Sequence, residues 1–230
     1  MKRAITLFGL IPVAVFFEAS GVIRDALIDV GVNAVSVDLR ETERPGPHII
    51  GNVFDWLDAG WAGAIMHPTC TYMCGSGLHW NSRNHGRNLM TDYWLHLVRR
   101  LMSAPIPRWA IENPRGVIGT AIRPADHMIQ PWQFGDDASK ETHFWLKNLP
   151  ALKIKREWRC NGRIVRDPRT GKAVERWANQ TDSGQNRLAP SEDRWAARSE
   201  TYPGVAREVA RQWGPLFDQP VRRDLFGELL

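Results

Sequence analysis

Residues 11–39, IPVAVFFEASGVIRDALIDVGVNAVSVDL, decide the fold. IPVAVFF (11–17) is a short apolar run of β-branched and aromatic residues, which predicts a buried strand. SGVIRDALIDVG (20–31) changes to helical spacing, with Ser20 as the expected cap and Gly31 as the stop. AVSVDL (34–39) returns to strand and ends on Asp38. Strand, helix and strand in succession form the unit from which parallel sheets are built, because parallel neighbours need a crossover.

The alternation continues outward. HIIGNV (48–53), WAGAIMH (61–67) and RWAIEN (108–113) read as further strands. Residues 87–103 read as a helix whose apolar face is Leu89, Tyr93, Leu97 and Leu101. YPGVAREVARQWG (202–214) reads as a closing helix with Pro203 near its start. The expectation is an α/β fold, a parallel sheet flanked by helices. Ligands of such sheets bind at the carboxyl ends of the strands. Those ends carry Glu18, Asp38, Gly51-Asn52, Cys70 and Glu112-Asn113-Pro114.

Bulk composition narrows the class. With 230 residues, 43% hydrophobic and 24% charged, the chain can bury one sizeable core with a small appended element and is not disordered. It has no internal repeat and no apolar run of membrane-spanning length. AITLFGLIPVAVFF (4–17) is interrupted by Gly9 and Pro12 and lacks a small-residue cleavage pattern, so it reads as core strand and not as a signal peptide. Three cysteines (70, 74, 160) are too few for a disulfide scaffold and fit the reducing cytoplasm.

The net charge of +5 has a definite address. Between Lys153 and Arg176 stand nine basic residues against three acids, so this segment carries +6 and the rest of the chain −1. A local basic patch points to a polyanion such as nucleic acid. Within it, REWRCNGRIVRDPRTGKAVERWA (156–178) reads as a hairpin with turn signals at Cys-Asn-Gly and Asp-Pro-Arg-Thr-Gly. Trp158 and Trp177, among basic neighbours, are the expected stacking surfaces of the eleven tryptophans.

Three stretches carry candidate chemistry. In AIMHPTCTYMCGSG (64–77), Cys70 sits in the loop after a buried strand, as a nucleophile, a metal ligand or a packing residue. The run Cys70, Cys74, His79, His85 has zinc-ligand residue types, but its pairs are more closely spaced than in zinc fingers, and no metal is expected. Cys74 reads as a loop residue, Cys160 as incidental, and His67 as a strand-end histidine with its ring satisfied. The small-residue turn FEASG lets a ligand approach the backbone, though it lacks the full dinucleotide fingerprint. Asp38 follows where an acid takes a ribose hydroxyl. Together they point to an adenosine-containing cofactor.

The order F-x-x-S-G (17–21), Asp38, P-x-C (68–70) and E-N-P (112–114) resembles the DNA cytosine-5 methyltransferases, above all their short phage- and prophage-encoded members. KETHFWLKNLP (140–150) is similar to the segment before that family's target-recognition region. RLAPSEDRWAARSETYPGVAREVARQW (187–213) resembles its C-terminal motifs, which return beside the cofactor. The resemblance implies a Rossmann-like catalytic core over 1–150, a reduced target-recognition hairpin over 151–186 and a returning segment over 187–230. It implies S-adenosylmethionine as cofactor, held by Phe17, Glu18, Ser20, Gly21, Asp38, Asn52 and Pro68. Cys70 would add to carbon 6 of cytosine and Glu112 would hold a proton near ring nitrogen 3. Asn113, Arg156, Arg159, Arg163, Arg166 and Arg187 would contact double-stranded DNA with the target base flipped out. The setting it implies is the cytoplasm of a bacterial host, with no membrane and no obligate protein partner. The chain departs from the family at Thr69 (a second proline), Pro114 (valine) and Asn52 (aspartate). Two alternatives stay open: a degenerate DNA-binding protein on the same fold, and a related enzyme using another donor or a free cytosine nucleotide.

Overall fold

The computed structural model describes residues 12–188 and 201–219. The first eleven residues and much of the 187–213 motif therefore lie outside the described residues. Seven strands form one sheet: β1 (Val13–Phe16), β2 (Ala34–Asp38), β3 (His48–Ile50), β4 (Gly63–Met66), β5 (Trp109–Pro114), β6 (His127–Ile129) and β7 (Thr142–Lys147). Their order is β3-β2-β1-β4-β5-β7-β6. The five strands from β3 to β5 are parallel, and β7 alone is reversed, pairing antiparallel with both β5 and β6. A small separate sheet, β8 (Arg163–Arg166) with β9 (Ala173–Arg176), is the expected basic hairpin.

Helices cover both faces. On one side α1 (Val22–Asp29) and the C-terminal α5 (Pro203–Phe217) pack on β1, β4 and β7 through Ile23, Leu27, Val209 and Trp213. On the other side α3 (His85–Met102) packs Leu95, Val98 and Leu101 against Ala14, Phe16, Met66 and Trp145. Two four-residue helices, α2 (Gly75–Leu78) and α4 (Ile118–Ala121), follow the ends of β4 and β5. Among the described residues no helix is long and apolar enough to cross a membrane.

The structure corrects three expectations. Gly31 ends α1 as expected, in a left-handed conformation with the Gly31 and Val32 amides returning to Ile28 and Leu27. The start of α1 differs. Ser20 Oγ is only a long acceptor for Val22 (3.4 Å), whereas the Glu18 carboxylate takes the Ile23 amide at 2.6 Å and the Arg24 amide at 3.3 Å. The apolar face of α3 also differs. Leu97 and Leu101 are buried, but Leu89 and Tyr93 are more than half exposed. Steps of four residues advance 400° on a helix of 3.6 per turn, so such a strip winds off the core. Thr91, Leu95, Val98 and Leu101 mix three- and four-residue steps and stay on it. Finally, β6 and β7 were not expected, and KETHFWLKNLP contributes the reversed strand itself.

Arg24 is the least expected core residue. It is fully buried. Its guanidinium donates to Ser36 Oγ, Thr42 Oγ1 and the Arg44 and Pro45 carbonyls, and pairs with Asp25. It thereby fastens the loop after β2 to α1. Gly21 (φ 73°) and Gly46 (φ 152°) lie against the guanidinium, where a Cβ at either position would overlap it.

Candidate active site

Parallel register brings the chemically able residues to one rim. Phe16 of β1 pairs with Met66 of β4, and Met66 with Ile111 of β5, so His67 and Glu112 follow side by side. The reversed β7 begins where β5 ends, with Pro114 opposite Thr142. It thus delivers Lys140 and Thr142 to the same place. A cleft there is lined by His67, Glu112, Lys140, Thr142 and Tyr202, over an apolar floor that includes Ile65 and Phe144.

The cysteine loop is sewn to the end of β5. Asn113 Nδ2 donates to the Pro68 carbonyl at 2.7 Å. The Gly75 amide donates to Arg115, and the Val117 amide to Met73. Cys74 bridges to Gly116, and a Cβ on Gly116 would overlap the Met73 carbonyl. From α3, Arg87 donates to the Thr71 and Gly77 carbonyls, and Thr91 Oγ1 to that of Tyr72 at 2.7 Å. Cys70 is half-buried within this frame.

The electrostatics of the rim are strongly perturbed. A hydrogen bond with the Cys74 thiol, burial, and the charges of Cys74 and Glu112 push the Cys70 thiol up, with Lys140 opposing them. The resting cysteine is a thiol and not a thiolate. For Glu112, burial works against ionisation, but the hydrogen bond from His67 Nδ1 (3.3 Å) and the charge of Lys140 outweigh it and hold the carboxyl below its ordinary range. Burial pushes Glu18 up, against the influence of His67 and its two amide bonds. His67 does not have the satisfied ring the sequence led us to expect: among the described residues its buried Nε2 meets no partner, and neither does the buried Oδ1 of Asn113. Such orphans are uncommon and mark sites that hold water, ions or ligands.

The residues expected to bind a cofactor fall along the neighbouring strand ends. Phe17 adopts φ 61°, a left-handed conformation rare for a bulky side chain. Its ring meets Phe54 and Trp94 edge-on at 6.0 and 6.2 Å. Asp38 accepts the Arg40 amide at 2.9 Å, and exposed Asn52 caps the turn at Phe54. Pro68 is buried. Glu18 and Gly21 are committed locally, Glu18 to the α1 amides and Gly21 to Arg24. Ser20 is half-buried beside them.

The expected DNA contacts divide. Asn113 is 1% exposed, so it braces the Pro68 loop and cannot touch a nucleic acid from this position. Arg159 pairs with Glu175 and lies 4.2 Å over the Trp132 ring. Arg163 binds Asp182 and the Trp177 and Gln180 carbonyls, and Arg187 binds the Gln180 carbonyl. Arg156 and Arg166 are exposed, and among the described residues their guanidinium groups meet no partner. Trp177 is buried, stacked on Trp132 at 5.2 Å, and Trp158 packs near Phe134 under Lys155 and Arg211. These tryptophans join the hairpin to the sheet and are not open stacking platforms.

Sequence reasoning missed Lys140, Thr142, Arg24 and Gly116. The β-prone run THFWLK was the available signal for the first two. Among the described residues no group of three or more His, Cys, Asp or Glu side chains is arranged to hold a metal ion, so the run Cys70, Cys74, His79, His85 is not gathered into one. No protein-family model matches the chain, and no curated protein matches it.

Proposed function

We propose that this chain is an S-adenosylmethionine-dependent methyltransferase acting on carbon 5 of cytosine in DNA. The observation that carries the reading is the suture that ties the loop bearing Cys70 to the end of β5, which bears Glu112. A nucleophile that adds to carbon 6 and a carboxyl that serves ring nitrogen 3 must be fixed relative to one another. Here the Asn113–Pro68 bond and the Gly116 crossing fix the two loops together.

The strand order supports a Rossmann-like methyltransferase core. It reverses between β1 and β4, the position where doubly wound sheets bind nucleotides. The adenosine half of the cofactor fits the residues on the β1–β3 side: the Asp38 carboxylate for a ribose hydroxyl, Asn52 for the adenine edge, and the aromatic wall of Phe17 and Phe54. At the amino-acid end, Glu18 already covers the α1 amides, so its carboxylate suits the ammonium group and leaves no vacant helix terminus for a carboxylate. When bound, S-adenosylmethionine supplies an electrophilic methyl carbon.

The chain's own residues do the rest. Cys70 must lose its proton, and its contact with Cys74 must loosen, before it adds to the ring. Lys140 is the cation placed to favour the thiolate. Glu112 receives the ring's nitrogen 3. Exposed Arg156 and Arg166, with Lys153 and Lys172, meet phosphates, while Arg159, Arg163 and Arg187 shape the hairpin. The raised Cys70 thiol favours one alternative, a DNA-binding protein without transfer.

The test is incubation with duplex DNA and methyl-labelled S-adenosylmethionine, digestion to nucleosides and mass analysis, beside Cys70→Ala. 5-Methylcytosine made by the natural chain and absent with Cys70→Ala is the expected result. Transfer that survives Cys70→Ala ends the thiol mechanism. DNA binding without transfer moves the assignment to the alternative.

A further inference from the structure

The scheme above gives His67 no part, yet His67 is the group most tightly tied to Glu112. It leaves β4 with its amide bonded to the Phe16 carbonyl (3.0 Å), and its Nδ1 lies 3.3 Å from Glu112 Oε2. Its other nitrogen is buried and meets no partner among the described residues, and within them a proton on this ring has one hydrogen-bonded exit, through the carboxylate. The ring also lines the rim cleft. The ionisable groups around the His67–Glu112 pair are Glu18 from the β1–α1 turn, Lys140 ahead of β7 and Tyr202 ahead of α5, with Cys70 on the loop after His67 acting on Glu112 by charge.

We propose that His67 is a positioning residue that holds the proton Glu112 passes to the target ring. The proposal rests on the methyltransfer reading and assigns it a proton source. Cys70 releases its proton to solvent, and the thiolate pair forms the S–C6 bond. The C5–C6 π pair moves to C4–C5 and the C4–N3 π pair moves onto nitrogen 3, which takes a proton relayed by the Glu112 carboxylate. That proton is the Nδ1 hydrogen of the His67 imidazolium, which crosses to Oε2 as Oε2 gives to nitrogen 3 and leaves the ring neutral with its hydrogen on Nε2. After C5 is methylated, water removes the C5 hydrogen and the pair of that bond restores the C5–C6 double bond. Cys70 leaves as thiolate and takes back a proton. Nitrogen 3 returns its proton along the same line, so the pair ends as it began and nothing beyond the methyl donor is consumed. The net proton released is the one displaced from C5.

Two measurements test this on the full chain. In the free protein, carboxyl-labelled Glu112 is titrated by carbon-13 NMR. A two-step curve in the natural chain, as expected of two groups sharing a proton, collapses to one step in His67→Gln. One step in both proteins overturns the proposal, whether or not any methyl transfer is found. In the transfer assay, His67→Gln retains a donor toward Oε2 but holds no mobile proton. The expected result is a loss of about 10²- to 10⁴-fold in kcat. KM for DNA stays nearly unchanged and the alkaline limb of the pH profile disappears. His67→Ala recovers part of its rate in added imidazole. Full activity with an unchanged pH profile in His67→Gln shows the ring to be only a brace and overturns the proposal. His67→Asn replaces the glutamine variant if that one does not fold. Absence of transfer in the natural chain fails the methyltransfer reading alone, since the titration still decides whether the pair shares a proton.

Discussion

In the β8–β9 hairpin Arg159 finds Glu175, Arg163 finds Asp182 and Arg176 finds Asp167. At the rim of the large sheet, His67 Nε2 and Asn113 Oδ1 are buried and find no partner among the described residues. Both regions are rich in polar groups, but the hairpin's are answered within a few dozen residues of chain. The rim's come from distant segments fixed by sheet register, which holds them in place whether or not each is satisfied. A self-satisfied charge cluster stabilises its own fold, and an unsatisfied buried one is tolerated where something else must bind. The basic segment is therefore a folded unit with a few exposed cations, and the rim is the place where the proposed chemistry finds unanswered polar groups.

The largest test of this contrast is Arg24→Leu, which leaves Asp25, Ser36, Thr42 and two carbonyls without their shared donor. We expect a loss of about 3–5 kcal/mol in urea unfolding. A loss under about 1 kcal/mol, the scale of exposed pairs, would erase the distinction between the buried and exposed arginines. Gly116→Ala comes next, with an expected cost of about 1–3 kcal/mol from overpacking against the Met73 carbonyl. Alkylation of Cys70 followed by mass spectrometry should change rate in the same variant, because its loop is displaced. An unchanged rate breaks the suture.

A pH comparison is smaller. Glu112 is held below its ordinary value, so its stabilising contribution is full above the ordinary carboxylate range and is lost as pH falls through the lowered value. Glu18, held above its ordinary value, contributes in the opposite sense: fully below that range, and lost as pH rises through its raised value. Glu112→Gln should flatten the acid limb of stability, measured by denaturant midpoints between pH 3 and 6 (on the order of one proton in slope). A steepened limb would reverse the assignment. The smallest effect belongs to Arg159→Ala, whose partly exposed pair with Glu175 is worth about 0.2–1 kcal/mol. It should leave the salt dependence of DNA binding unchanged, whereas Arg166→Ala should lower that slope by about 1. Equal slopes in the two variants would return the hairpin to a uniform cationic strip.

The parts legible in the sequence were local. The β1–α1–β2 unit, the Gly31 stop, the Asp-Pro-Arg-Thr-Gly turn and the start of α5 at Pro203 each carry their signal within a few residues. The strand-end positions of Cys70 and Glu112 followed from the same alternation. What escaped is long-range. Phe144 and Trp145 are buried on opposite faces of β7, which erases the two-residue alternation that would have marked it as a strand. Without β7, nothing in the order of residues brings Lys140 to Cys70. Arg24 reads as an exposed helical arginine because its acceptors beyond the adjacent Asp25 lie 12 to 21 residues away. Charge counting located the basic segment but not its pairings, since Glu175, Asp182 and Asp167 answer the arginines only after the chain has turned.

Arg24 also sets an order of events for the chain's own history. Gly21 and Gly46 are small because the guanidinium occupies the space their side chains would need. Either glycine can acquire a side chain only after Arg24 has become shorter, and even then their left-handed backbone restricts the choice. A shortened Arg24 in turn strands the acceptors around it. Single-residue paths out of this arrangement therefore all pass through a weakened intermediate. The loop between β2 and β3 changes its anchoring in concert or not at all.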